Sequence, residues 1–461
     1  MHQHHLSGIR GGIGIFHAAF DDPILSEVVS ADGDTAWVIV DEAVKDHAAT
    51  YRIIAQLGDR NILVTPIPGG EQSKDSVFYG SLCTQALDHF QRAPSILIAI
   101  GGGTILNLCT FIAASLEDGG IFIPPHKTYA QLNVASIRKL VVVPTTILSV
   151  ADVAYGSKGN INTKSEKSHP LMDIFDAAHG KNRAGERVQK HGWKLYRDPD
   201  EIYVDPDYIK TLPPGEIKRG LSEVLKHALL QDDGGYIGAP LKTLLRDPVE
   251  TWRGTRWRFA PSLDITLAQM RSGKPDPAAC LWLALQTMYV KAGMLGVDKS
   301  EERWPAALLS YGHLHAHAME MASDYKIGHA EAVYVGMLID LKLAGSVRDY
   351  QRILSVSPYL PVARDIQKLD ISVDVLKEAY AREPKDFFRN RETGLFKVLP
   401  LKQKGLYSTP YASFDIDRPS PMVEFSFDTI MLAWKDVVAD LKKEVTGKPS
   451  FVQSAKRVLG L

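Results

Sequence analysis

Short apolar runs rich in β-branched residues recur through the first 200 residues of the chain. They are Ala36-Trp37-Val38-Ile39-Val40-Asp41, Asn61-Ile62-Leu63-Val64, Ser95-Ile96-Leu97-Ile98-Ala99-Ile100 and Leu140-Val141-Val142-Val143. Runs of this length without polar alternation suit strands covered on both faces, and helix-length segments separate several of them. The pattern predicts a parallel α/β sheet. After about Asp205 it gives way to long amphipathic segments at 216–231, 278–297, 312–323, 330–346 and 427–445. The expected organisation is an α/β domain over residues 1–205 and a mainly helical domain over 206–461, with chemistry in the cleft between them. Residues 119–137, 163–180 and 232–276 are rich in Gly, Pro and charge and read as insertions; Trp252 and Trp257 suggest partial packing of the last.

Composition narrows the class of partner. A net charge of −1 on 461 residues offers no electrostatic footprint for nucleic acid or an anionic membrane, so a small-molecule substrate is expected. Cys83, Cys109 and Cys280 form neither a disulfide framework nor a Cys-x-x-Cys pattern, which suits a reducing cytoplasm. Neither a signal-peptide pattern nor an apolar run of about 18 residues is present, so export and membrane spanning are not expected.

Glycines mark the ends of two predicted strands. Gly101-Gly102-Gly103-Thr104 follows Ile100 and precedes a helical pattern, a place where backbone N–H groups and the helix dipole receive phosphate. A tight turn without a ligand explains a bare triplet equally well. Pro68-Gly69-Gly70-Glu71-Gln72-Ser73-Lys74 is a second such turn, in which Glu71 and Lys74 suit ribose hydroxyls and phosphate. Asp41 ends the first clear strand, where a carboxylate either meets a ribose or caps a turn. Thr145, Thr146, Asp152 and Lys158 follow the fourth strand and form a candidate half-site. Lys181-Asn182-Arg183 is either a phosphate contact or an exposed basic loop.

The densest chemistry lies at Tyr311-Gly312-His313-Leu314-His315-Ala316-His317, with His329 twelve residues beyond. His313 and His317 are four apart and share one helical face, whereas His315 points the other way. Glu223 and Lys226, three apart on a predicted helix, are either a surface ion pair or part of the same site. One carboxylate with two or three imidazoles matches a catalytic zinc set with an open position, and spacing alone leaves open which histidines ligate.

Taken in order, Pro-Gly-Gly-Glu-x-x-Lys, Gly-Gly-Gly, Pro-Thr-Thr, Asp-x5-Lys, Lys-Asn, Glu-x-x-Lys, His-x3-His and His-x-Glu-Ala-Val resemble the dehydroquinate synthase superfamily, the sugar phosphate cyclases. The resemblance runs from about residue 36 to 402. It implies a Rossmann-like NAD-binding α/β domain, a helical metal-binding domain and a homodimer. It assigns Glu223, His313 and His329 to zinc, or cobalt in its place, and Asp152, Lys158, Lys226 and His317 to catalysis. It places Lys181, Asn182, Lys291, Ser310 and Lys385 around the substrate. NAD falls to Glu71, Lys74, Gly101, Gly102, Gly103, Asn107, Thr145 and Thr146, with Asp41 at the same edge. The activity implied is phosphate elimination followed by aldol closure of a sugar phosphate to a carbocycle, with no net redox.

Departures from the family pattern bear on the substrate. Ala306 and Ser310 stand where dehydroquinate synthases carry Arg and Asn, and an aliphatic stub cannot replace a guanidinium fork for a carboxylate. Asn107 stands where the family has Asp. Ala113-Ala114-Ser115-Leu116, Lys181-Asn182-Arg183 and Arg391-Glu392-Thr393-Gly394-Leu395 resemble the branch that cyclises sedoheptulose 7-phosphate, although His317 is a departure from that branch too. That substrate is the leading expectation. Dehydroquinate synthase itself, a glycerol dehydrogenase-type oxidoreductase and a non-catalytic relative are the alternatives.

Overall fold

A computed structural model of the chain describes residues 5–6, 14–17, 35–70, 73–74, 76–117, 137–156, 158–163, 189–231, 261–295, 306–383, 388–390, 392–399 and 422–447. They pack as two units: one runs to Pro213 and takes in Pro277–Gly296, and the other holds the rest from Pro214 onward.

The first unit is built on a seven-stranded sheet of order β1-β2-β9-β6-β5-β3-β4. Its strands are β1 (His5–Leu6), β2 (Gly14–His17), β3 (Thr35–Asp41), β4 (Asn61–Ile67), β5 (Ile96–Gly101), β6 (Lys139–Pro144) and β9 (Glu201–Val204). All neighbours are parallel except β1 and β2. Val38, Val40, Ile98, Ile100, Val141 and Val143 share one buried cluster, which is why these runs carry no polar alternation. β3 lies between β4 and β5, so the chain leaves it first to one side and then to the other. Such a switch point opens a crevice at the carboxyl edge of an α/β sheet. In register there stand Asp41 beside Ile67 and Gly101 beside Pro144.

Strands β7 (Lys158–Thr163) and β8 (Gln189–Tyr196) form a separate antiparallel ribbon over the helix Gly103–Glu117. A Cβ at Gly159 would overlap the backbone of Phe111, so only glycine permits this crossing. The helix Pro277–Leu295, expected among the later helices, packs in this first unit. It is buried on most of its surface through residues such as Cys280, Leu283, Ala284, Met288 and Val290, and helical periodicity does not reveal which core takes it.

The second unit contains the helices Pro214–Gln231, Leu263–Arg271, His313–Ala322, His329–Leu343, Val347–Leu354, Val373–Ala381 and Phe427–Thr446, with a ribbon of β10 (Phe396–Val398) and β11 (Val423–Phe425). The amphipathic segments expected at 216–231, 312–323, 330–346 and 427–445 are helices within a few residues of those bounds. Part of the segment read as an insertion at 232–276 is regular: Ser262 caps the helix Leu263–Arg271 by accepting from the Ile265 N–H. That helix is too short for its apolar face to stand out among Gly, Pro and charge. Thr163 closes β7, Ile137 is buried beside β6, and the third insertion is described from residue 261 onward; the rest of the three, with Trp252 and Trp257, lies outside the described residues. No helix of the described residues is long and apolar enough to cross a membrane.

Replacing Gly159 with alanine is expected to cost about 3 kcal/mol through overpacking against the helix backbone. Urea unfolding checks this, and a wild-type midpoint would contradict the close crossing.

Candidate metal centre

The helices His313–Ala322 and His329–Leu343 meet backbone to backbone. A Cβ at Gly336 would overlap the Gly312 carbonyl, and Gly312 itself adopts φ +76°, the left-handed region that glycine enters without strain. Asp340 fixes the junction: one carboxylate oxygen accepts from the Gly312 N–H at 2.7 Å, the other lies 2.9 Å from His315 Nε2. Burial, reinforced by the Asp340 charge, pushes the Tyr380 phenol well above its ordinary pKa, so its O–H is the donor to His315 Nδ1 at 2.6 Å. His315 is therefore a core residue turned away from His313 and His317, as its place on the helix predicts.

On the opposite face, ligand atoms of Glu223, His313 and His329 lie within 4.8 Å of one another. Glu223 is fully buried. Its Oε1 stands 3.8 Å from His313 Nε2 and 3.7 Å from His329 Nε2, and no hydrogen bond satisfies it. An orphaned carboxylate oxygen aimed at two imidazole nitrogens is costly unless a cation joins them. A carboxylate with two imidazoles is also the donor set of a catalytic zinc site that keeps a position open. The three residues fit a divalent metal, and of the histidines that spacing leaves open the structure brings His313 and His329 together with Glu223.

Further groups hold these ligands. The Lys226 ammonium pairs with Glu223 Oε2 and donates to the Leu309 carbonyl at 2.8 Å, so the two helix neighbours are a buried pair and not a surface one. His313 Nδ1 donates to the Tyr311 carbonyl at 3.1 Å, leaving Nε2 for the metal. The buried Glu320 carboxylate stands 3.3 Å from His329 Nδ1 and backs that ligand. His317 packs edge-on against His313 at 5.7 Å between centroids, with Nδ1 3.1 Å from each oxygen of the buried Glu383. Sequence reasoning missed both carboxylates. Glu320, three residues after His317, shares its helical face and was open to the same spacing argument; Glu383 carries no local signal.

In the first unit, the residues expected to hold a dinucleotide gather at the carboxyl edge of the sheet. Asp41 caps the turn after β3, accepting from the Ala43 N–H at 3.0 Å, and its carboxylate also lies against Gly69, where a Cβ would come within 2.8 Å of it. Cap and edge carboxylate are thus the same group. A Cβ at Gly101 would collide with Ile105 at 2.6 Å, so this glycine serves the turn itself. Gly102 has no such neighbour: its nearest is the Thr146 methyl at 3.9 Å, leaving the backbone open to a ligand. Asn107 is half-buried on the following helix, Thr145 donates its N–H to the Gly101 carbonyl at 3.0 Å, and Thr146 is tied to Ser149.

Lys74 is buried, and Lys158 opens β7. Lys291 Nζ lies 2.7 Å from Asp152 Oδ1, which brings together two residues 139 apart in sequence. Ser310 is buried in the turn Ala306–Ser310 before the helix His313–Ala322. Glu71, Lys181, Asn182 and Lys385 lie outside the described residues. All three cysteines are buried, and burial pushes the Cys83 thiol up to about 12, which leaves it unreactive.

A family model described as 3-dehydroquinate synthase C-terminal matches residues 266–380. A 3-dehydroquinate synthase of Methylacidiphilum infernorum (isolate V4) is 26% identical over 390 residues, covering 83% of this chain and 85% of the relative. Two solved structures share the architecture. A 2-deoxy-scyllo-inosose synthase complexed with carbaglucose-6-phosphate, NAD+ and Co2+ superposes with a TM-score of 0.65 at 17% identity, over 94% of this chain and 100% of that one. The 2-epi-5-epi-valiolone synthase from Streptomyces hygroscopicus subsp. jinggangensis 5008, with NAD+ and Zn2+ bound, gives 0.57 at 18% identity, over 94% and 98%. At these identities the structural likeness establishes the fold: a Rossmann-like α/β part and a mainly helical one.

Glu320→Gln is expected to weaken Zn2+ binding about ten- to hundredfold, as loss of a carboxylate behind a ligating histidine does. Chelator competition measures it, and unchanged affinity with unchanged stability of the metal-free protein would contradict the role. Gly336→Ala is expected to cost about 1–3 kcal/mol and to lower Zn2+ affinity as well, because it forces the two ligand-bearing helices apart.

Proposed function

The chain belongs to the dehydroquinate synthase-like sugar phosphate cyclases, and on that premise we propose that it eliminates phosphate from sedoheptulose 7-phosphate and closes the product to a carbocycle. The observation that carries the reading is the buried Glu223, His313 and His329 set with Lys226 on the same carboxylate. In this proposal those three residues hold Zn2+ or Co2+, while the edge formed by Asp41, Lys74, Gly101–Gly103, Thr145 and Thr146 holds NAD+, with Glu71 and Asn107 completing it. When bound, NAD+ supplies a reversible hydride acceptor and the divalent cation polarises the oxygen at the reacting carbon.

The chain's own residues supply the rest. Lys226, fixed between Glu223 and the Leu309 carbonyl, stands beside the proposed metal ligands, where its side chain stabilises developing negative charge on oxygen. His317, paired through Nδ1 with Glu383, is the imidazole suited to a substrate hydroxyl. Asp152 is held in place by Lys291, and the pair suits hydroxyl contacts; Lys158 is the cation for phosphate. Lys181, Asn182 and Lys385 join that role by resemblance. The same reading carries a homodimer working in the cytoplasm.

Ala306 and Ser310 select the substrate. Without a guanidinium at 306 the site lacks the fork that holds a carboxylate, which favours a sugar phosphate that has none. The similarity to a 3-dehydroquinate synthase favours the second reading, in which a carboxylated heptulosonate is cyclised.

Incubation with NAD+, Zn2+ and each of these two sugar phosphates is expected to release inorganic phosphate from sedoheptulose 7-phosphate without accumulation of NADH. Turnover of the carboxylated compound alone would refute the substrate assignment, and steady NADH formation would point to a net oxidoreductase.

A further inference from the structure

We propose that Arg219 and Glu331 form a clamp that holds His329 opposite Glu223 and so sets the metal affinity of the Glu223, His313 and His329 set. The clamp rests on the metal reading of that set and adds two positioning residues to it. The helix Pro214–Gln231 carries Arg219, Glu223 and Lys226 at spacings of four and three, which puts them on one face. Lys226 ties this face to the Leu309 carbonyl, in the turn that precedes the helix of His313. Arg219 ties it to the helix of His329: its Nε donates to Glu331 Oε1 at 2.6 Å, between residues 112 apart in sequence. Glu223 lies between the two ties and faces both imidazoles.

Glu331 is suited to anchor the start of its helix. It is the third residue after Gly328, which caps the helix His329–Leu343 and has no side chain to do so with. An acidic residue in the first turn meets the positive end of the helix dipole, and a carboxylate at this position reaches back toward the cap. Glu331 does so here: a Cβ at Gly328 would come within 2.6 Å of Glu331 Oε2. One carboxylate oxygen therefore lies over the cap while the other takes the guanidinium, and His329, the first residue of the helix, is carried between them. The Glu331 side chain is 6% exposed, so losing its partner would leave a buried charge uncompensated. Arg219 is half-buried and is also paired with Glu216 on its own helix, which limits where the guanidinium can go. The clamp acts through the backbone that carries His329.

Zn2+ affinity is measured by chelator competition on the full chain, beside urea unfolding of the metal-free protein and the d–d absorption of the protein saturated with Co2+. Arg219→Met and Glu331→Gln are each expected to weaken Zn2+ binding about tenfold and to change the Co2+ bands. The double variant is expected to lose no more than either single one, because both remove the same contact. Arg219→Lys keeps the charge without the fork and is expected to recover part of the affinity. Wild-type Zn2+ affinity and Co2+ bands in either single variant, or losses that simply add in the double variant, would overturn the clamp, even where the metal-free protein is less stable. If Arg219→Met does not fold, Glu331→Gln and Arg219→Lys decide. Glu223→Gln is expected to abolish tight Zn2+ binding. If it binds as the wild type does, the metal reading fails and the clamp with it; if it alone loses the metal, only the clamp fails.

Discussion

A carboxylate buried without a hydrogen bond on one of its oxygens is the constraint around which the second unit is organised. Glu223 has no exposed surface, and water cannot offset the loss of its hydration. Lys226 compensates one oxygen; the other faces two imidazole nitrogens too distant to bond and well placed to share a cation. A helix pair that merely filled a core would place leucine at this position. The chain accepts an unfavourable burial at a candidate metal site, and functional sites are where natural proteins most often break the rules of packing.

The surrounding residues make that arrangement rigid. Gly312 and Gly336 let the two histidine-bearing helices touch through their backbones, and Asp340 joins the Gly312 N–H to His315 on the inner side. His315 looks like one of four interchangeable imidazoles and is the one that stabilises the scaffold. The other three each have Nδ1 turned toward an oxygen: a carbonyl for His313, Glu320 for His329 and Glu383 for His317. Hydrogen bonds at Nδ1 hold the His313 and His317 rings, while Glu320 stands behind His329 without a hydrogen bond to it.

The first unit shows a different economy. Its candidate dinucleotide edge is made of short turns at strand ends, and the sheet order alone puts them side by side. Gly101 is required by its collision with Ile105, whereas Gly102 has open space, so one glycine serves the fold and the next leaves room for a ligand. Asp41 shows why a turn cap and a ligand contact need not be rival explanations: at a carboxyl edge one side chain satisfies a local N–H while its charge stays at the crevice.

By itself the amino-acid sequence determined what periodicity and local spacing can carry. The runs at β3, β5 and β6 are apolar on both faces because both faces are buried, whereas β4, at the sheet edge, leaves Val64 exposed. The segments around 216–231, 312–323, 330–346 and 427–445 are helical because one face is apolar, and His313, His317 and His329 cluster because a turn repeats every few residues. Their spacing suggested a metal site without naming its ligands. Only the tertiary structure selected Glu223 with His313 and His329, assigned His315 to the core, buried the Lys226 pair, and brought Asp152 to Lys291 and Glu383 to His317. It also placed the helix Pro277–Leu295 with the α/β unit and recovered a regular helix from a stretch that reads as an insertion. The reason is common to all of these. Hydrogen bonds and ion pairs across tens of residues depend on which helix faces pack together, and no periodicity along the chain records that choice.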